Sequence, residues 1–133
     1  ALQKGRSGQA VSHAEAAVLA DPHNAAYRAM LGAAYMEAGR FQSAATSFQD
    51  ALTLGDTAPK TALSLALAQI ASGDHRKAVS TLDQWQDGID PADLGLALAL
   101  AGEARRGADV LAAQLRGGNN TPKVRQNLAY SYA

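Results

Sequence analysis

Three histidines, His13, His23 and His75, are the side chains of this 133-residue chain best suited to metal binding or proton transfer. They are far apart in the sequence, and none has another metal-ligating residue four positions away, as helical zinc motifs do. Histidines in such isolated positions are mostly surface or turn residues. We therefore predict no metal site.

Asp74-His75-Arg76 and Ser80 bring the residue types of a serine hydrolase into one short stretch. A catalytic triad is defined by the geometry of its groups, and proximity in sequence does not supply that geometry. Asp74 and His75 are better interpreted as residues of a helix cap. The sequence therefore predicts no catalytic residue, no enzyme activity and no cofactor.

The chain has a net charge of zero, because twelve basic residues balance twelve acidic ones. This net charge does not predict a polyanionic partner. Arg105, Arg106 and Arg116 form a small basic cluster. Such a cluster is usually a solvated face, and the alternative is an anchor for an acidic partner. No aromatic residues are interleaved with it, so we do not expect nucleic acid to bind.

The chain has no cysteine, which excludes a disulfide framework and a thiolate zinc site. No apolar run reaches the roughly 18 residues of a membrane-spanning helix, so direct membrane insertion is not expected. The chain opens on Ala1-Leu2-Gln3-Lys4, with neither methionine nor a signal-peptide pattern. We expect a fragment or a processed product, whose localisation the sequence leaves open.

A period of 34 residues positions the chain's turns and helices. One set of glycines follows it, at Gly5, Gly39, Gly73 and Gly107. One set of alanines does the same, at Ala10, Ala44, Ala78 and Ala112. Small residues at fixed places in such a period are typical of stacked helix-turn-helix units.

The best unit contains Leu31-Gly32-Ala33-Ala34-Tyr35, then Gly39-Arg40-Phe41, and then Ala44, Phe48 and Ala51. This pattern resembles the tetratricopeptide repeat, closely over residues 25–58 and moderately over 59–92. The resemblance implies an all-α fold, a right-handed α-solenoid of helix-turn-helix repeats.

The predicted units are 1–24, the second half of a repeat; 25–58 and 59–92, two repeats; 93–121, a shortened repeat; and 122–133, the first helix of a truncated repeat. In the third unit the first helix should run to about residue 105, Gly107 should form the turn, and a shortened second helix should cover 108–116. Asn24 should cap the helix that begins at residue 25. The last helix carries an apolar face, Val124, Leu128 and Tyr132, which should lack its packing surface because the partner helix is missing.

Within the best unit, the predicted buried stripe of the first helix is Tyr27, Met30, Leu31, Ala34 and Tyr35. Trp85 occupies the position of Ala51 one period later. Its larger side chain should either fill a gap between units or protrude.

The resemblance also implies a site, because first helices of this family line a concave groove at their second, fifth, ninth, twelfth and thirteenth positions. In this chain those positions hold Ala26, Ala29, Ala33, Met36 and Glu37; Lys60, Leu63, Leu67, Ile70 and Ala71; and Leu94, Ala97, Ala101, Ala104 and Arg105. The predicted partner contacts among them are Met36, Glu37, Lys60, Leu63, Leu67, Ile70, Leu94 and Arg105.

Members that clamp a terminal carboxylate place Lys and Asn at groove positions occupied here by Ala29, Ala33 and Leu94, so that clamp is not expected. The groove should be shallow and apolar, and its natural guest is an amphipathic helix or an apolar extended segment. The alternative is that these residues pack against a neighbouring helix of the same protein.

Two functions follow from these expectations. The first is a non-catalytic protein–protein interaction scaffold that holds a peptide or helix in its groove. The second is a structural or oligomerisation segment, whose groove and ends are filled by its own chain or by a second copy. The stretch from Val124 to Tyr130 is similar to bacterial tetratricopeptide proteins of the cell envelope and of pilus assembly, so the resemblance implies a bacterial cell envelope or periplasmic location as the alternative to the cytoplasm.

Overall fold

The structure, a computed structural model, describes residues 2–118 and 121–132, with side chains for 5–118 and 121–131. Over these ranges the chain forms eight α-helices and a short 3₁₀ turn, Gln86–Gly88, and no strand. The helices are α1 (Leu2–Ala20), α2 (Ala25–Glu37), α3 (Phe41–Thr53), α4 (Pro59–Ala71), α5 (His75–Trp85), α6 (Pro91–Leu100), α7 (Ala104–Arg116) and α8 (Pro122–Tyr132). Each helix packs mainly on its neighbours in sequence, and the first helices α2, α4, α6 and α8 also contact one another. The prediction of an all-α solenoid is confirmed.

The helices begin where local chemistry satisfies free backbone N–H groups. The Asn24 side chain accepts a hydrogen bond from the Tyr27 N–H at 3.0 Å, and Thr121 accepts one from the Val124 N–H at 3.2 Å. Proline opens α4 and α6, where its missing N–H needs no partner. The predicted Asn24 cap is confirmed.

Three equivalent turns end the first helices α2, α4 and α6. Gly39, Gly73 and Gly102 adopt φ values of 76°, 85° and 95°, which residues with a Cβ rarely adopt. In each turn the glycine and the next residue donate N–H groups back to carbonyls of the helix that ends there. Two glycines of the 34-residue series do not form turns: Gly5 lies inside α1 and Gly107 inside α7.

The third pair of helices is displaced by five residues from the predicted register. A Cβ on Gly32 would lie 2.8 Å from the Phe48 ring, and a Cβ on Gly95 would lie 2.6 Å from Leu111 Cγ. Both contacts join residues 16 positions apart, so Gly95 is the counterpart of Gly32. Gly73 and Gly102 are then 29 residues apart, whereas Gly39 and Gly73 are 34 apart.

The helix bounds predicted for this unit are therefore wrong. The first helix ends at Leu100 and the second begins at Ala104, and the second has the full 13 residues while α6 has only 10. Gly107 lacks a side chain for a different reason from the turn glycines: it lies where α6 and α7 cross, and its Cβ would overlap the carbonyl oxygen of Gly95. The spacing between the turn glycines is five residues shorter here because two helices are shorter. α5 has 11 residues where α3 has 13, and α6 has 10 where α4 has 13.

The core is a chain of clusters between neighbouring helices, with no single centre. The first cluster holds Val11, Ala14, Leu31, Ala34, Tyr35, Ala44, Phe48, Leu65 and Ala68. The second lies between α4, α5 and α6, and half-buried Trp85 packs against it, so this side chain fills a gap between units. The third joins Ala92, Leu111 and Val124.

Part of the predicted stripe on α2 is exposed. Leu31, Ala34 and Tyr35 are buried as predicted, but Tyr27 and Met30 are 37% and 46% exposed. Their counterparts in α8 are Val124 and Asn127, which are buried next to α6 and α7. Exposure differs because the two helices have different neighbours. α8 packs against the preceding first helix, α6, whereas α2 has no preceding first helix beside it within the described residues. The prediction that the apolar face of α8 lacks a packing surface is therefore wrong for Val124, which α6 and α7 cover, and Leu128 is half-buried. The side chain of Tyr132 lies outside the described residues.

Polar contacts join consecutive units. Arg106 pairs with Asp83 at 2.7 Å, linking α7 to α5, and Lys123 pairs with Asp93 at 2.7 Å, linking α8 to α6. Asp83 and Asp93 raise the pKa of Arg106 and Lys123, respectively, chiefly through these hydrogen bonds. These pairs are partly exposed, so each contributes modestly to stability.

Candidate functional site

The predicted groove residues of α4 lie on one side of the helix, opposite to a second stripe. At 3.6 residues per turn, Leu63, Leu67 and Ile70 point about 180° away from the stripe formed by Leu65, Gln69 and Ser72. Leu63, Leu67 and Ile70 are half-buried, since they pack against the second cluster. Each of these side chains therefore packs against the core and still exposes part of its surface to solvent.

The other predicted groove residues differ in how far a partner could reach them. Met36 is half-buried against the first cluster, and Glu37 and Lys60 are exposed. Leu94 is only 8% exposed and belongs to the second cluster, so little of it is available for a partner.

Arg105 is not a groove residue. It was assigned to the end of the third first helix, but α6 stops at Leu100, and Arg105 lies in the second helix α7 with its side chain exposed. In the corrected register the equivalent positions are Ile89, which precedes α6 and is buried, and Ala92, Leu96, Ala99 and Leu100 within α6. A sequence signal for this register exists, because Leu94-Gly95-x-x-Leu98 repeats the pattern of Leu31-Gly32-x-x-Tyr35.

With that register, equivalent positions form an apolar row across the four first helices. The row consists of Ala33 in α2, Leu67 in α4, Leu96 in α6 and Tyr130 in α8. Ala33 and Tyr130 are exposed, the latter at 55%, and Leu67 and Leu96 are half-buried. We call this surface the first-helix row. Sequence reasoning missed Leu96 because it depends on the five-residue displacement, and it missed Tyr130 because the groove positions were not extended to the last helix.

A second concave region lies on the other side of α4, between α3 and α5. It is a cleft of about 730 Å³ lined by Gln42, Ala45, Thr46, Gln49, Asp50, Leu65, Gln69, Ser72, Gly73, Asp74 and Lys77. A smaller cavity of about 210 Å³ shares Gln49 and Leu65 with it and reaches Leu52 and Trp85. We call the two together the outer cleft. Its floor is the second stripe of α4.

Hydrogen bonds hold the floor and one wall of the outer cleft together. The Thr81 hydroxyl donates to Gln69 Oε1 at 2.8 Å, in a buried contact between α5 and α4. On the α3 wall, Gln49 donates weakly to Thr53 at 3.5 Å. The Gln42 and Gln84 side-chain amides make no hydrogen bond within the described part of the chain.

Neither region has the composition of a metal or membrane site. Over residues 2–118 and 121–132, no three His, Asp or Glu side chains are grouped closely enough to hold a metal ion. No helix in the same ranges is both long and apolar enough to cross a bilayer.

Comparison with known families gives one match. Residues 1–52, which contain α1, α2 and all but the last residue of α3, match the model of the tetratricopeptide repeat. No curated protein matches the chain.

Proposed function

We propose that the chain, whose residues 1–52 match the tetratricopeptide repeat, is a non-catalytic scaffold that binds a partner on its first-helix row. Repeats of this family generally mediate protein–protein interaction, which supports a protein partner. The finer proposal is that the partner inserts an amphipathic helix or an apolar extended segment into the groove.

The continuity of the first-helix row is the observation that carries the proposal. Leu67, Leu96 and Tyr130 place a large apolar side chain at the same position of three successive first helices, each partly open to solvent. Met36, Leu63 and Ile70 flank the row and are also half-buried. Such a strip gives the apolar face of a helix several anchor points.

Charge at this surface is sparse. Glu37 and Lys60 are exposed beside the row and have opposite signs. Selection of a partner by this face therefore depends on shape and apolar contact, and the effect of salt on binding should be weak.

The alternative is a structural or oligomerisation segment. Two observations favour it: Leu63, Leu67 and Ile70 already pack against the second cluster, and Tyr27 and Met30 expose apolar surface on α2. In this case the row would be covered by the protein's own chain or by a second copy.

Peptide binding and molecular mass together separate the two. The protein would be panned against a phage-displayed library of amphipathic 14-residue helices, and selected peptides would be measured by fluorescence anisotropy. We expect Leu67→Glu and Leu96→Glu to weaken binding at least tenfold, or about 1.4 kcal/mol. Leu19→Glu is the matched control, since Leu19 is 81% exposed on α1.

Light-scattering mass as a function of concentration is measured on the same proteins. A monomer that binds peptide through the row supports the scaffold. A dimer that Leu67→Glu converts to a folded monomer, with no peptide selected, supports self-association. Peptide binding that survives both row substitutions contradicts the proposed groove.

A further inference from the structure

The outer cleft is a trough with three sides, each formed by a stripe of one helix. The α3 wall carries Gln42, Thr46, Gln49 and Thr53; the α4 floor carries Leu65, Gln69 and Ser72; and the α5 wall carries Lys77, Thr81, Gln84 and Trp85. In the α3 and α4 stripes the residues recur at three- or four-residue spacing, and in α5 both Gln84 and Trp85 lie three or four residues after Thr81, so each set lies along one side of its helix. The trough therefore runs parallel to the helices.

The length of the trough suits a short extended segment. Gln42 and Thr53 are 11 positions apart in α3, a distance of about 16 Å at 1.5 Å per residue. An extended chain rises about 3.3 Å per residue, so roughly five residues span the trough.

The hydrogen-bonding groups match a peptide backbone. Primary amides offer two donor hydrogens and an acceptor oxygen, and hydroxyls offer both roles. Gln42 and Gln84 have unused amides on opposite walls, and the 3.5 Å contact of Gln49 with Thr53 is weak enough to exchange for a better one. Such groups recognise N–H and C=O groups without demanding a charged side chain.

Charge in the trough is already compensated. Asp50 pairs with Arg28 at 3.3 Å, and Asp74 pairs with Lys77 at 3.5 Å. A charged ligand group would lose hydration without gaining an unpaired opposite charge, which costs free energy. The lining therefore favours an uncharged segment and disfavours a phosphate-rich polymer.

One end of the trough places apolar side chains among polar ones. The smaller cavity is lined by Leu52, Leu65 and half-buried Trp85 together with Gln49, Thr53, Thr81 and Gln84. An exposed indole face binds aromatic and aliphatic side chains well. The segment should therefore carry one large apolar side chain at the end that reaches Trp85.

From these features we propose that the outer cleft binds an extended, uncharged segment of a partner protein, about five residues long, with one apolar side chain against Trp85. This site is separate from the first-helix row and uses the opposite face of α4.

The test uses Trp85 as a built-in reporter, since it is the only tryptophan in the chain. A phage-displayed library of random heptapeptides would be panned against the protein, and enriched peptides would be titrated while Trp85 emission and its quenching by acrylamide are recorded. We expect uncharged peptides with an aromatic or leucine residue, a shifted emission, and reduced quenching.

Two matched variants locate the site. Gln49→Lys places a charge in the trough and should weaken binding at least tenfold, whereas Gln126→Lys, at an exposed position of α8, should leave it unchanged. Leu67→Glu on the first-helix row should also leave it unchanged, so failure of one site is distinguishable from failure of the other. Circular dichroism confirms that each variant is folded.

Several outcomes would overturn the proposal. These are enrichment of charged peptides or of none, binding that leaves Trp85 emission unaltered, and binding that persists in folded Gln49→Lys. Loss of binding in Leu67→Glu would assign the peptides to the first-helix row instead.

Discussion

Gly107 lies against Gly95, and the backbones of α6 and α7 approach so closely there that a single methyl group at residue 107 would overlap the Gly95 carbonyl oxygen. The methyl group would meet backbone atoms and the Cβ of Ala99, none of which belongs to a flexible side chain. The overlap can therefore be relieved only by moving a helix. This crossing sets the register of the third helix pair.

Gly107→Ala should therefore destabilise the protein, by about 2–3 kcal/mol, as other overpacked sites do. Urea unfolding followed by circular dichroism measures the change. Gly8→Ala is the matched control, because Gly8 is helical and nothing lies within 4 Å of its Cβ position. Alanine at an exposed helical position should stabilise by up to about 1 kcal/mol. Equal effects at the two sites would contradict the close crossing.

Gly102→Ala tests where the third first helix ends. The φ of 95° at this residue should make alanine cost about 1–2 kcal/mol, and Gly102→Asn should cost less, because asparagine tolerates left-handed backbone better. Thermal unfolding of the two variants side by side gives the comparison. Alanine tolerated at 102 would mean that the turn lies elsewhere.

Tyr35 should make stability depend on pH in the alkaline range. Burial raises the pKa of its phenol, and the hydrogen bond to Glu15 at 3.0 Å raises it further. Since the folded-state pKa is raised, the stabilising contribution is complete below the unfolded value of about 10 and is lost as pH rises through the higher folded value.

The variant Tyr35→Phe isolates this contribution. At pH 8 it should lose about 1 kcal/mol with the hydrogen bond, and the difference from wild type should shrink as pH rises above about 10. Urea midpoints at both pH values measure it. Tyr27→Phe is the control, since that hydroxyl makes no hydrogen bond within the described ranges. A difference that stays constant with pH would rule out the titration.

The contact between Thr81 and Gln69 should behave as a coupled buried pair. Thr81→Val keeps the shape but leaves the Gln69 amide oxygen without its donor, at a cost of about 1–3 kcal/mol. Adding Gln69→Leu should recover much of the loss, because neither partner is then polar. A double-mutant cycle from unfolding data gives the coupling, and strictly additive losses would contradict it.

Features fixed by local chemistry could be read from the sequence. The Asn24 cap and the turns at Gly39 and Gly73 each depend on a few adjacent residues. Gly102 and Gly107 could not be told apart, because glycine serves both a left-handed turn and a close helix crossing, and only the packing shows which. Because the register predicted for the third unit was displaced by five residues, Arg105 was assigned to the wrong helix and Leu96 was not identified as a groove residue.

Whether a side chain is exposed depends on which helices pack beside it, and a sequence pattern does not predict those neighbours. Tyr27 and Met30 have the spacing of a buried stripe, yet they are exposed because no first helix lies beside them among the described residues. The α3 stripe of the outer cleft is visible in sequence as Gln42, Thr46, Gln49 and Thr53. Its opposite wall comes from α5, so the trough emerges only in three dimensions.

Because every cluster joins helices that are close in sequence, the array has low contact order and its loops close at small entropic cost. It should fold rapidly, and its amides should not exchange hydrogen uniformly. Protection should be high in α4 and α6, which have packed neighbours on both sides, and should fall toward α1. The helix shared by the two proposed sites is then among the last to open, so a ligand on either face meets a preformed surface.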